Sequence, residues 1–356
     1  MKELNLGELF CGPGGIALGA EMANKKIGVE LNTAIKHAWA VDYHRTTVDT
    51  FINNINEASE KTVLCTDVKN LDFNHLKKIS NIDGFAYGFP CNDYSLVGEQ
   101  KGLNGEFGPL YKYGLEILNL FNPKFFIAEN VGGLRGSHNG STLKKIINDL
   151  AAAGNGYEVT PHLYKFEEYG VPQSRHRIIL VGFRKDLKLK FKPPAPTHRD
   201  NLISCKIAIT KPAIPPNAYN NEFTQQHPRV VERLKHILPG ENAWTANLPE
   251  NLKLNVKGAK LSQIYKRLDP NKPSYTITGS GGGGTHVYHW SESRALTNRE
   301  RARLQTFPDN FKFSGSKEDV RRQIGMAVPP LGAKLVFESI LKSLEGVEYS
   351  FVEANL

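Results

Sequence analysis

The 356-residue chain reads as an α/β protein, with an open, mainly parallel sheet in its larger part and a smaller, irregular region after it. Three observations predict this. Apolar runs of strand length alternate with segments of helical spacing through the first half. A glycine-rich turn follows the first run. Successive runs then end in a carboxylate, a thiol or a glycine, which is where an open parallel sheet gathers its ligand-binding groups, beyond the carboxyl ends of its strands.

The first strand covers 4–10 and turns through Cys11-Gly12-Pro13-Gly14-Gly15 into a helix over 16–22. Glycines in such a turn let a ligand approach the backbone closely. Pro13 and the adjacent Gly14-Gly15 break the dinucleotide spacing GxGxxG, and a purely structural tight turn is an equal reading. The second strand ends in Ala38-Trp39-Ala40-Val41-Asp42-Tyr43, and a carboxylate there can accept two ribose hydroxyls. A third, Val63-Leu64-Cys65-Thr66-Asp67-Val68, ends in another acid. Either aspartate reads equally as the cap of a following helix. By residue type alone, Phe10 and Tyr43 belong to core packing.

The fourth strand, 82–89, runs into Pro90-Cys91-Asn92-Asp93. Most intracellular cysteines are small buried apolar groups, but Cys91 falls just past a strand end. The next strand, Phe125-Phe126-Ile127-Ala128-Glu129-Asn130-Val131, delivers a carboxylate one crossover later, so Cys91 and Glu129 can share a crevice. In Gln173-Ser174-Arg175-His176-Arg177, ahead of the strand 178–182, a period of two sends both arginines to one face. A solvated strand edge is the alternative.

The length allows about two domains, each with a real core. Mean hydropathy is negative, no apolar run looks long enough to span a bilayer, and Met1 leads straight into the first strand, leaving no space for a secretion signal. Cysteines 11, 65, 91 and 205 contain no CxxC pair, so neither a metal site nor a disulfide framework is expected, and a reducing cytoplasm suits a thiol nucleophile. The formal charge is +9, and residues 191–310 hold 17 Lys/Arg against 9 Asp/Glu, the balance of a region that tracks phosphates. Prolines at 193, 194, 196, 212, 215 and 216 open this region and glycines at 281–284 lie near its end. Between them a helix over 228–237 and strands near 274–278 and 286–290 are expected. Residues 95–108 carry four glycines directly after Cys91, which reads as a mobile lid or as a plain surface loop. A last helix is expected over 331–344.

Taken together, these motifs resemble the DNA (cytosine-5)-methyltransferase family through nearly all of the chain except roughly 190–290. Phe10-Cys11-Gly12-Pro13-Gly14-Gly15 is similar to the family's first motif, Gly88-Phe89-Pro90-Cys91 to its nucleophile motif, Glu129-Asn130-Val131 to ENV, and Gln173 to Arg177 to QxRxR. Arg294 to Asp309 resembles the ninth motif and Gly325-Met326-Ala327-Val328-Pro329-Pro330 the tenth. Asn92 stands where the family has Gln, Phe107 where it has Arg, and Met326 where it has Asn.

The resemblance implies a Rossmann-like, S-adenosylmethionine-dependent methyltransferase sheet in 1–190, completed by 311–356, with a smaller, irregular target recognition domain in 191–310. It implies Cys91 as the thiolate that adds to cytosine C6, Glu129 as the acid near N3, Arg175 beside that carboxylate, and Arg177 with them. The donor, S-adenosylmethionine, would leave as S-adenosylhomocysteine. It would meet Phe10 on the adenine, Asp42 on the ribose, Asp67 on the adenine amino group, Tyr43 on the opposite face, and Gly12, Gly14, Gly15, Val68, Gly88, Pro90, Leu110 and Val328 along the cleft. The implied partner is double-stranded DNA, with the target cytosine flipped out. The bare catalytic-plus-reader architecture suggests a monomeric modification enzyme of a bacterial restriction system, paired with an endonuclease without a stable complex. A tRNA cytosine-5 methyltransferase and a catalytically impaired DNA-binding homologue are the alternatives. A nicotinamide oxidoreductase lacks both the GxGxxG turn and a use for the Cys, Glu and Arg set.

Overall fold

In the computed structural model the described residues are 1–89, 110–255, 261–279, 281–282 and 284–356. Pro90, Cys91, Asn92, Phe107 and the 95–108 segment lie outside them. The chain divides into two compact units: Met1–Lys165 with His176–Pro196 and Pro330–Leu356, and Phe166–Arg175 with Thr197–Pro329.

The first unit opens with β1 (Lys2–Leu9), α1 (Gly15–Ala23), β2 (Thr33–Asp42), α2 (Arg45–Asn54), β3 (Val63–Cys65), α3 (Phe73–Ile79) and β4 (Gly84–Gly88). It continues with α4 (Tyr111–Phe121), β5 (Phe125–Val131), α5 (Ser141–Ala152) and β6 (Tyr157–Lys165). Its seven-stranded sheet has the order β3-β2-β1-β4-β5-β8-β6, where β8 is His176–Arg184. The first five of these strands are parallel, and β8 runs antiparallel to both β5 and β6. The order reverses between β1 and β4, which opens a crevice beyond their carboxyl ends.

Side-chain alternation sorts β1 onto two faces. Leu9 enters a core with Trp39, Phe85, Phe126, Leu76 of α3, Ile117 of α4 and Ile146 of α5. Burying each such side chain contributes roughly 1.5–3 kcal/mol. Glu8 points the other way, into a cavity of about 460 Å³ lined with Leu6, Ala17, Ala20, Ile35 and His37. Its side chain is buried and Oε2 has no partner.

The second unit contains β7 (Gln173–Ser174), α6 (Cys205–Thr210), α7 (Pro228–Lys235), β9 (Ser274–Tyr275), α8 (Asn298–Leu304) and α9 (Lys317–Met326). β7 and β9 form a two-stranded parallel sheet. The strand expected near 286–290 is reduced to isolated bridges at Tyr288, because its backbone pairs singly with Arg267 and Ala295. Both α8 and α9 begin with reciprocal caps, Thr297 with Glu300 and Ser316 with Asp319.

With so little sheet, many carbonyls need other donors, and buried arginines supply them. Arg267 donates to the carbonyls of His289, Leu234, Ile237 and Glu292. Arg299 donates to those of Tyr219, Pro308 and Phe311. The five N–H donors of a rigid guanidinium suit this work. Gln305 ties α8 to the carbonyls of Ile324 and Ala327, so the segment 311–329 groups with this unit and not, as the sequence suggests, with the large domain.

The last helix, α10 (Pro330–Leu344), packs on α1 within the first unit. The stretch Lys317–Leu344 is, by length and composition, apolar enough to cross a membrane, contrary to the sequence reading. Most of it is buried inside the fold, as in the core helix of a soluble protein.

Burial pushes the Glu8 carboxyl up to about 8 from an ordinary value of 4.5. An acid raised in the folded state contributes stability that is complete below its unfolded pKa and lost as pH rises through its folded one. Stability should therefore fall between about pH 4.5 and 8, by several kcal/mol from this group alone. Glu8→Gln should flatten that fall, with the gap to wild type widening as pH rises in denaturant titrations. A gap of constant size would remove Glu8 as the cause.

Candidate active site

Glu129 lies two residues before the end of β5 at Val131, and the sheet register sets it between Gly88 at the end of β4 and Ile179 on β8. Its side chain is 13% exposed, and Oε1 lies 3.0 Å from Nε of Arg177, which is shielded to the same degree. A Cβ placed on Gly88 would come 3.3 Å from Glu129 Oε2, so the carboxylate overhangs the end of the strand that leads into Pro90 and Cys91. Arg177 is held in turn by its own donation to the His176 carbonyl at 2.8 Å.

Asn130 faces the other way and is buried. Its Nδ2 donates to the Phe89 carbonyl at 3.1 Å, fixing the last described residue before Cys91. The sequence reading gave this side chain no role. The available signal was a polar residue on the inward face of an apolar strand, which needs a hydrogen-bond partner.

Arg175, expected beside the Glu129 carboxylate, makes two contacts of a different kind. It follows β7, is buried in the second unit, and donates to the carbonyls of Ile277 and Gly325 at 3.1 Å each. The two arginines are two residues apart, but β8 starts at His176, so no continuous strand carries both. Gly325 has no room for a side chain, since a Cβ would fall 2.0 Å from the Gly279 nitrogen.

At the other end of the crevice, Phe10 and Gly12 adopt left-handed backbone with φ of 53° and 57°. Gly14 has φ 97°, a conformation that favours glycine, and α1 begins at Gly15. The turn is clasped to β2: the Gly12 nitrogen donates to Asp42 Oδ2 at 3.1 Å, the His44 nitrogen to Asp42 Oδ1 at 3.0 Å, and the Cys11 nitrogen to the Val41 carbonyl at 3.1 Å. Burial raises the Asp42 pKa, and these backbone donors oppose the rise.

Asp67 is exposed and caps the short turn Val68–Asn70 by accepting from the Lys69 nitrogen at 2.9 Å, the cap reading of its sequence. Val68 is buried beneath it, and Leu110 is buried just ahead of α4. Tyr43 is exposed, with its ring 3.9 Å from that of His44. In the second unit Val328 is buried and Met326 exposed.

Phe10, open space beside Gly12 and the carboxylates of Asp42 and Asp67 suit a nucleoside carrying a positive charge. Among the described residues no three His, Cys, Asp or Glu side chains are placed to hold a metal ion. The described thiols are held protonated: burial pushes Cys11 well up, raises Cys65, and takes Cys205 up to about 12. None of them is a poised nucleophile.

A profile of the C-5 cytosine-specific DNA methylase family matches residues 4–342. The chain is 56% identical over 353 residues to the Type II methyltransferase M.BbvI of Brevibacillus brevis, covering 98% of this chain and 94% of that protein. It is 40% identical over 340 residues to the Type II methyltransferase M.NgoFVII of Neisseria gonorrhoeae, covering 94% and 85% respectively. In fold it is similar to a prophage-encoded candidate DNA modification methyltransferase of Escherichia coli, with TM-score 0.72 and 24% identity over 96% of this chain and 99% of that one.

The two arginines should separate experimentally. Arg177→Ala should lower methyl transfer about 100-fold by leaving Glu129 without its cation, with little change in thermal stability. Arg175→Ala should cost about 1–3 kcal/mol of stability, because two buried carbonyls lose their donor. Paired unfolding and single-turnover measurements check this, and the reverse pattern would overturn the assignment.

Proposed function

The chain belongs to the C-5 cytosine-specific DNA methylase family, and we propose that it serves as the modification methyltransferase of a Type II restriction system, with Cys91 and Glu129 as its reacting groups. It transfers a methyl group to C5 of cytosine in DNA. The observation that supports the site assignment is the Glu129–Arg177 pair overhanging the end of β4, two positions before Pro90 and three before Cys91.

C5 of cytosine is too weak a nucleophile to take a methyl group unaided. In this reading the Cys91 thiolate adds to C6, the ring electrons shift towards N3, and Glu129 delivers a proton there, leaving C5 electron-rich as in an enamine. Arg177 orients the carboxylate and balances its charge. Asn130 fixes the backbone at Phe89 from which the nucleophile's segment departs. Once C5 has taken the methyl, a base removes the C5 proton, the C6–S bond breaks to return the thiolate, and the N3 proton goes back to Glu129. Neither face of C5 and C6 is open within stacked DNA, so the target nucleotide must leave the helix first.

S-adenosylmethionine, the donor in this reading, supplies an electrophilic methyl group. Phe10, Gly12, Asp42 and Asp67 would hold it, with both Asp42 oxygens keeping lone pairs beyond those taken by Gly12 and His44. The reading also includes a monomer acting in the cytoplasm on double-stranded DNA, beside an endonuclease that recognises the same sequence without forming a stable complex.

Cys91→Ser should abolish transfer while leaving DNA affinity nearly intact, and wild-type protein should form a covalent adduct with duplex DNA bearing 5-fluorocytosine. Glu129→Gln should slow adduct formation severely, since an amide has no acidic proton to give. Near-normal turnover by the Cys91 variant would falsify the nucleophile assignment.

A further inference from the structure

The second unit buries two arginines that are not fully used as carbonyl donors. Arg301 on α8 is 1% exposed, and its Nε and Nη1 have no partner. Arg321 on α9 is 7% exposed; its Nη2 donates to the Gly281 carbonyl at 3.3 Å, and its Nε has no partner. The two helices pack on each other. Half-buried His286 adds a shielded, unpartnered Nδ1 to the same neighbourhood. Each arginine disfavours positive charge on His286, and Arg321 disfavours it on Arg301.

Nearby acids are committed elsewhere or only loosely engaged from the solvent side. Glu300 is engaged by Arg294 through two 2.8 Å bonds and by the Thr297 nitrogen. Glu318 lies 3.6 Å from Arg321 Nη2, with its own side chain 73% exposed. Two like charges with unfilled donors in a shielded site are costly unless an anion joins them. The contrast with Arg267 and Arg299 is direct, since their guanidiniums are spent on backbone carbonyls.

We propose that Arg301 and Arg321, beside His286 and against Gly281, form a binding site for a tetrahedral oxyanion of the phosphate class. The guanidinium fork matches such an anion geometrically. Gly281 lies directly against the site: a Cβ there would fall 2.4 Å from Arg321 Nε. Two sources share this chemistry, a phosphodiester of bound DNA and a free oxyanion that orders the unit.

The test uses the full chain without donor or DNA, so it does not depend on methyl transfer. Inorganic phosphate is titrated against chloride at fixed ionic strength while thermal unfolding is followed. Wild type should gain melting temperature saturably, and Arg301→Met and the milder Arg321→Gln should each lose that gain. An equal gain in wild type and both variants would show a general salt effect and overturn the site. A second arm measures affinity for duplex DNA against salt. If a DNA phosphodiester fills the site, each variant's log–log salt slope should be shallower by roughly 0.9 and phosphate should compete with DNA. An unchanged slope with a retained wild-type phosphate response assigns the site to a free oxyanion. No phosphate response in wild type together with unchanged slopes sinks the proposal.

Discussion

The direction in which β8 enters the sheet decides whether this crevice can work. Parallel strands bring their carboxyl ends to one edge, so β1, β2, β4 and β5 deliver the turn at Gly12, Asp42, Gly88 and Glu129 to the same side. A side chain at the beginning of another parallel strand would lie at the opposite edge. β8 is antiparallel to β5, with Val131 opposite Arg177, so an arginine at the start of one strand meets a carboxylate at the end of its neighbour. The short spacing from Arg177 into the β8 core residues Ile178 to Val181 makes that arrangement rigid, because the guanidinium is one residue from a fully packed strand.

The second unit solves a different problem. It has few strands with which to satisfy its backbone, and it substitutes long cationic side chains for sheet partners. The consequence reaches back to the charge balance of 191–310, whose excess of Lys and Arg looked like a surface built for phosphates. Arg233, Arg267, Arg299, Arg301 and Arg303 are in fact buried, and Arg303 forms a bidentate pair with Asp309 while also donating to the Ile209 carbonyl. The exposed cations are fewer than the sequence total, with Lys206, Lys211, Arg229 and Lys272 among them. Composition counts charges without knowing which are spent on the fold.

What was legible from sequence follows from what is local. Apolar runs predicted β1, β2, β3, β4 and β5 within a few residues. The family resemblance carried by the motifs agrees with the comparisons. Less legible were features set by distant partners. Strand period alone paired Arg175 with Arg177, whereas tertiary contacts took Arg175 to the Ile277 and Gly325 carbonyls. The Asn130 bond to Phe89 and the burial of Glu8 depend on which face of a strand meets which helix, and a single strand does not encode that.

The thiols add a chemical argument. Cys11 lies in the glycine turn where the proposed methyl donor would sit, and a thiolate there would itself be open to alkylation. Burial is the largest influence keeping it protonated, the charge of Asp42 adds to it, and Glu8 joins once that carboxyl ionises at higher pH. Asp42 therefore acts on two groups: it clasps the turn through Gly12, and its charge helps keep the neighbouring sulfur inert. Under the proposed chemistry one sulfur works beside an electrophile, so the other sulfurs nearby must be silenced. Here that is done by the low polarity of the first strand's surroundings and by the neighbouring carboxylate of Asp42.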